Sequence, residues 1–191
     1  MHEPVIYWLD IETTGLLPAR DQILEIAVAK QISLFDIEHV YHAVLPCFDI
    51  NEWAPFIRDM HTKSGLLSEC LESRNSVAGV EQELLKLILP GDDYESRPIL
   101  AGSSVHFDHA FLKVHMPDLA NLFSHRYLDV SAVKLFCQTL GMEKIPKAEA
   151  HRAKDDIDES VEHLKTCAVW IEQEKEEYAD QAVRAAEGHD P

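Results

Sequence analysis

Val5-Ile6-Tyr7-Trp8-Leu9-Asp10-Ile11-Glu12-Thr13-Thr14-Gly15 is the stretch that decides how this chain folds. Val5 to Ile11 is largely apolar and β-rich, and Gly15 with Pro18 then breaks the pattern, which predicts a strand and a turn. Successive side chains of a strand point to opposite faces, so Asp10 and Glu12, two residues apart, point the same way. Like charges clustered at the end of an apolar strand are costly unless a cation offsets them, and hard carboxylate oxygens suit Mg²⁺ or Mn²⁺. Alone, an Asp-x-Glu triplet is weak, because such triplets are common at exposed strand ends. Its weight depends on what the rest of the chain brings to it.

Outward from this strand, Ile23 to Ile32 forms a second apolar run, and Val40 to Cys47, ending at Pro46, a third. The three predict an antiparallel meander, with a helix over Ile23 to Ile32 left open by pattern alone. Leu84, Leu85, Ile88 and Leu89 recur at helical spacing and stop at Pro90-Gly91. Pro98 to Gly102 reads as a buried strand, Phe107 to His115 as a helix stopped before Pro117, Tyr127 to Val130 as a short strand, and Val133 to Leu140 as a helix ended by Gly141. From about His151, the residues Ala153, Ile157, Val161, Leu164, Ala168 and Ile171 form a stripe at spacings of three and four, a long amphipathic helix packed on the sheet. The order is three strands and then αβαβα, an α/β domain over residues 1–171. Residues 172–191, with Glu172-Gln173-Glu174-Lys175-Glu176-Glu177 and an end from Gly188 to Pro191 that has no apolar anchor, read as an acidic helical tail that frays.

Two further acids can join Asp10 and Glu12. Asp108 follows the apolar strand and Gly102-Ser103-Ser104, where a helix begins; the bland role there is to complement the helix N-terminus. A central position for the preceding strand brings Asp108 near the first strand's acids instead. In His151-Arg152-Ala153-Lys154-Asp155-Asp156, a turn of about 100° per residue points Asp155 away from the buried stripe and leaves Asp156 at its flank. Asp156 is therefore the better metal ligand and Asp155 a solvated charge. His151, five residues earlier, stands on the loop into the helix, with a pKa suited to accepting a proton from water.

Composition narrows the partners. The 191 residues are 46% hydrophobic and 27% charged, which is globular, and suffice for one self-sustaining core. With 34 acidic against 17 basic residues, the formal net charge is −17, which disfavours a long duplex as partner. Cys47, Cys70, Cys137 and Cys167 form no CxxC pair and read as buried free thiols. Met1-His2-Glu3-Pro4 lacks the regions of a signal peptide, and no apolar run approaches the roughly 18 residues that span a bilayer, so a cytoplasmic protein without a membrane partner is expected.

Taken together, Asp10-x-Glu12, Asp108 and His151-x4-Asp156 resemble, in order and spacing, the DEDDh exonucleases, the DnaQ-like branch of the ribonuclease H-like fold. The resemblance runs from about Val5 to about Trp170 and implies a mixed sheet, its first three strands antiparallel, flanked by helices. Three more stretches are similar to the oligoribonuclease branch: His61-Thr62-Lys63-Ser64-Gly65-Leu66; Phe111-Leu112 with Met116-Pro117-Asp118-Leu119; and Arg126-Tyr127-Leu128-Asp129-Val130-Ser131. By that resemblance Leu16 wedges between two bases, His61 lies near the substrate, and Ser104, Arg126, Ser131 and Lys134 cap a 5′ phosphate, with Asp129 in support. Such a cap favours a short strand over one that must continue outward. Phe56 stands where that branch carries a stacking tryptophan, and His125 where a neighbouring subunit supplies a tyrosine; both still stack. The Ser131 to His151 connection is shorter than in that branch, and His106-Phe107 precedes Asp108 in place of smaller, more polar residues.

The resemblance implies a homodimeric, two-metal 3′-to-5′ exoribonuclease. Asp10, Glu12, Asp108 and Asp156 hold two divalent cations, Mg²⁺ or Mn²⁺, His151 acts as base, and dinucleotide-sized RNA yields 5′-mononucleotides. A 3′-to-5′ exonuclease on single-stranded DNA would use the same five residues. A non-catalytic nucleic-acid-binding module would be expected to have lost one of them.

Overall fold

The computed structural model describes residues 5–88, 96–146 and 151–187. Its elements are β1 (Ile6–Thr13), β2 (Ile23–Gln31), β3 (Ile37–Val44), α1 (Pro55–Lys63), α2 (Leu66–Glu72), α3 (Val77–Leu87), β4 (Ile99–Gly102), α4 (His106–His115), α5 (Pro117–Ala120), β5 (Tyr127–Asp129), α6 (Val130–Thr139) and α7 (Ala153–Glu187). The strands form one sheet in the order β3-β2-β1-β4-β5. β1, β2 and β3 are antiparallel neighbours, whereas β4 pairs parallel to β1 and β5 parallel to β4, so the sheet is mixed. The fold is ribonuclease H-like.

Ile23 to Ile32 is strand rather than helix, because it is paired on both edges and buried on both faces through Ala29. β3 begins three residues earlier than the apolar run suggests. A turn closed by the Ile32 N–H on the Asp36 carbonyl at 2.8 Å starts the pairing at Ile37, and the strand ends at Val44. α6 also begins earlier, at Val130 rather than Val133, because the Asp129 carboxylate accepts the Ser131 N–H at 2.9 Å and caps the helix there. The short α1 and α2 had no periodic signal of their own; Pro55 opens α1, and Gly65, with φ 80°, turns the chain between the two. The stop at Pro90-Gly91, Leu89, the segment Met1 to Pro4 and the end from Gly188 lie outside the described residues.

Two apolar layers sandwich the sheet. On one face Tyr7, Leu9 and Ile11 join residues of α3, α4 and α5, including Leu84, Phe111 and Leu119. On the other, Trp8 packs with Ala27, Ala29 and Ala101 of the sheet and Ala153, Ile157 and Val161 of α7. Small alanines beside Trp8 let α7 lie close to the strands. α7 runs as one helix through residues 171 and 172, and among the described residues no helix is long and apolar enough to cross a membrane. All four cysteines are buried and free.

Candidate active site

Strand alternation that sends Tyr7, Leu9 and Ile11 into one core sends Asp10 and Glu12 to the face of Trp8. The first turns of α7 reach that face and bring in Asp156. One carboxylate oxygen from each of Asp10, Glu12 and Asp156 lies within 4.8 Å of the others. Asp155 is exposed, as its helical phase requires.

Asp108 sits one step behind this trio, in the first turn of α4, and is 4% exposed. Its Oδ1 accepts the N–H of Ile11, the residue between Asp10 and Glu12, at 3.1 Å. Burial pushes its carboxyl up to about 8, and the charges of Asp129 and Asp156 add to the effect. A buried acid raised this far, with the charges of Asp129 and Asp156 bearing on it, lies in a place short of positive charge. Its donors, all hard oxygens, match divalent cations such as Mg²⁺ or Mn²⁺.

At the mouth of α7, His151 is half-buried and holds left-handed backbone, φ 49°. The next residue, Arg152, is gripped from two sides. Its Nε and Nη2 donate to Glu25 at 2.9–3.2 Å, and its Nη1 and Nη2 donate to Glu69 at 2.8 and 2.9 Å. Glu25 also accepts the Ala153 N–H at 3.0 Å and contacts the His42 Nε2 at 2.7 Å. Burial alone would raise the Glu25 carboxyl, but the Arg152 guanidinium, the Ala153 N–H and His42 together hold it below its ordinary value. His61 is fully buried, with its Nε2 3.0 Å from the Thr13 carbonyl. Burial pushes its imidazole below its ordinary value and the nearby His151 adds to this. Sequence reasoning missed Glu25 and Arg152. The signal was a lone charge inside the apolar run Ile23-Leu24-Glu25-Ile26, which demands a buried partner.

Two of the trio, Asp10 and Asp156, line a cavity of about 340 Å³ together with Glu159, Ser103, Ser104, Ser131, Lys134 and Ser160. Three of the four residues expected at a phosphate thus meet two of the expected metal ligands. Ser104, itself left-handed at φ 57°, donates its hydroxyl to the Ser131 Oγ at 3.0 Å. One oxygen of Asp129 accepts the N–H groups of both serines, at 3.0 and 2.9 Å. Lys134 Nζ lies 3.1 Å from the His163 Nδ1. Arg126 and His125 are exposed and are not among the lining residues. Leu16 and Phe56, 73% and 69% exposed, line a second cavity of about 660 Å³ with Arg20, Trp53 and Ile57. Its rim is the turn after β1, where the Asp21 carboxylate accepts the Leu17 N–H at 2.8 Å and occupies the space that a Cβ on Gly15 would need.

A family model described as exonuclease, RNase_T, matches residues 7–164 of this chain. The oligoribonuclease of Arabidopsis thaliana is 35% identical over 175 residues, covering 85% of this chain and 76% of that protein. That of Colwellia psychrerythraea is 35% identical over 170 residues, covering 84% and 91%. Among solved structures, product-bound exonuclease I superposes with a TM-score of 0.62 at 13% identity over 86% of this chain, and E. coli exonuclease I in complex with a dT13 oligonucleotide with 0.60 at 14%. This chain spans 43% and 41% of those two, and the likeness is one of fold.

Proposed function

The chain belongs to the exonuclease family as an oligoribonuclease-like member, and on that premise we propose that it hydrolyses very short single-stranded RNA from the 3′ end to 5′-mononucleotides. One observation carries the reading: Asp10 and Asp156, whose oxygens cluster with that of Glu12, line the cavity that also holds Ser104, Ser131 and Lys134. Carboxylates and hydroxyl and ammonium donors lining one cavity suit a substrate with a reacting phosphodiester and a terminal phosphate a short distance apart.

Asp10, Glu12, Asp108 and Asp156 are the residues that would hold two Mg²⁺ or Mn²⁺ ions. Bound there, such ions supply Lewis-acid polarisation of the phosphate and of the attacking water, and charge neutralisation for the leaving oxygen. His151 takes the proton of the attacking water, a role that suits a half-buried imidazole. Ser104, Ser131 and Lys134 donate to the 5′ phosphate, with Arg126 closing from outside, while Leu16 and Phe56 offer apolar surface to the bases. His61, having no exposed surface, supports the site from beneath. The active form is a cytoplasmic homodimer to which His125 contributes across the subunit boundary; the exposed Leu135, Phe136 and Leu140 support a partner surface.

The test compares turnover of a 5′-labelled RNA dinucleotide with that of a longer single-stranded DNA, each with Mn²⁺. Faster turnover of the dinucleotide is expected. Preference for the longer DNA would replace the reading with a DNA exonuclease, and no turnover of either in clean, folded protein would replace it with a binding module.

A further inference from the structure

Glu25 and Arg152 are joined by three hydrogen bonds, and neither one lines the cavity beside Asp10 and Asp156. Glu25 is 1% exposed, and a carboxylate so placed is tolerated only with charge and hydrogen bonds around it. Besides His42 on β3, its partners come from adjacent residues at the start of α7. Arg152 brings the side chain of the residue after His151, and Ala153 brings the N–H of the next one. Arg152 is held again on its far edge by Glu69 and the Ser64 carbonyl, so its planar fork has one orientation. Immediately before it, His151 sits at φ 49°, a left-handed conformation that is strained for a non-glycine residue and persists only where neighbours over-determine it.

We propose that Glu25 is a positioning residue for His151: through Arg152 and the Ala153 N–H it clamps the start of α7, so that the strained His151 backbone keeps its imidazole turned toward the reacting water. This rests on the reading of His151 as the base. Register gives the clamp a short lever, because Glu25 on β2 is the direct partner of Glu12 on β1. The strand pair that carries a proposed metal ligand therefore also carries the anchor of the base, and the two move together.

Kinetics on the RNA dinucleotide with saturating Mn²⁺ test this with Glu25→Gln, His151→Ala and the double variant. Gln keeps the shape and removes the charge that orders the guanidinium. The expected result is a kcat lower by about ten- to a hundredfold, as for partners that orient active groups elsewhere, with KM within about twofold and an unchanged rise in melting temperature on adding Mn²⁺. In the His151→Ala background the same change should cause no further fall in kcat, because residues acting as one unit are not additive. An equal fall in both backgrounds, or unchanged kcat in folded Glu25→Gln, overturns the clamp. If Glu25→Gln does not fold, Arg152→Lys replaces it, with the same expectations and the same overturning results. Wild-type turnover in His151→Ala alone would instead sink the base assignment on which the clamp stands.

Discussion

Two buried carboxylates, Glu25 on β2 against the start of α7 and Asp108 in the first turn of α4, have opposite surroundings. Glu25 is completed by the protein: a two-sided arginine, a helix N–H and a histidine hold it ionised, below its ordinary value. Asp108 has only backbone N–H groups, its own and that of Ile11, to lower it; burial outweighs them and pushes it up to about 8, with the charges of Asp129 and Asp156 adding to the effect. The fold surrounds one charge with a cation and donors of its own and gives the other backbone donors and neighbouring acids. A carboxylate satisfied internally holds structure together; one left short of positive charge is a candidate place for a bound cation.

The sharpest way to break this contrast is to remove the unsatisfied member. Asp108→Ala should leave the fold intact and abolish dinucleotide hydrolysis, a fall in kcat of about a thousandfold or more if several kcal/mol of metal-dependent stabilisation are lost. Near-normal turnover in a folded variant would place Asp108 outside the chemistry. A smaller effect separates the two acids by sign. Folded Asp108 keeps its proton up to about 8 whereas an unperturbed Asp releases it near 3.8, so in chelator the folded state binds more protons across that window and stability falls as pH rises through it. Glu25 acts the other way. Its contribution is full above its unfolded value of 4.5 and is lost as pH falls through the depressed folded value. Between pH 5 and 7, unfolding free energies of the wild type should therefore decline relative to Asp108→Asn, by at most about 1.4 kcal/mol per pH unit, and Mn²⁺ should flatten the difference. Parallel profiles in chelator would show that Asp108 is ionised in the fold. The smallest effect belongs to Asp155: exposed beside Asp156, its change to Asn should alter kcat less than about twofold and stability by less than about 0.5 kcal/mol. A loss comparable to that of Asp156→Asn would mean the helical phase was misassigned.

The trio was legible in the sequence because each of its signals is local. Two carboxylates at i and i+2 of a strand share a face, and an apolar stripe at helical spacing chooses Asp156 over Asp155 without reference to any partner. The meander was equally readable, since each strand is a run of apolar residues between turn signals. Glu25 with Arg152 was not, because the pair joins positions 127 residues apart and pattern says nothing about which loop returns to which strand. The start of β3 and the start of α6 were displaced for a related reason. Each is set by a hydrogen bond accepted by a single aspartate, Asp36 through its backbone carbonyl and Asp129 through its carboxylate, and no periodicity records either. His61, expected beside the substrate, lies wholly under Thr13, a depth that only the packing of α1 on the sheet reveals.

The alanines beneath α7 carry a consequence for how the site could drift. Ala27 is the register partner of Asp10, and Ala29 and Ala101 flank Trp8, so the helix that bears Asp156 rests on methyl groups where larger side chains would ordinarily stand. Adding bulk at any of the three would wedge α7 outward without touching a single polar atom. A shift of about 1 Å at reacting groups can lower a rate about a hundredfold. The reach between a strand-borne and a helix-borne carboxylate is thus gauged by the thickness of the layer between them, and substitutions far from any acid could silence the site by changing that thickness alone.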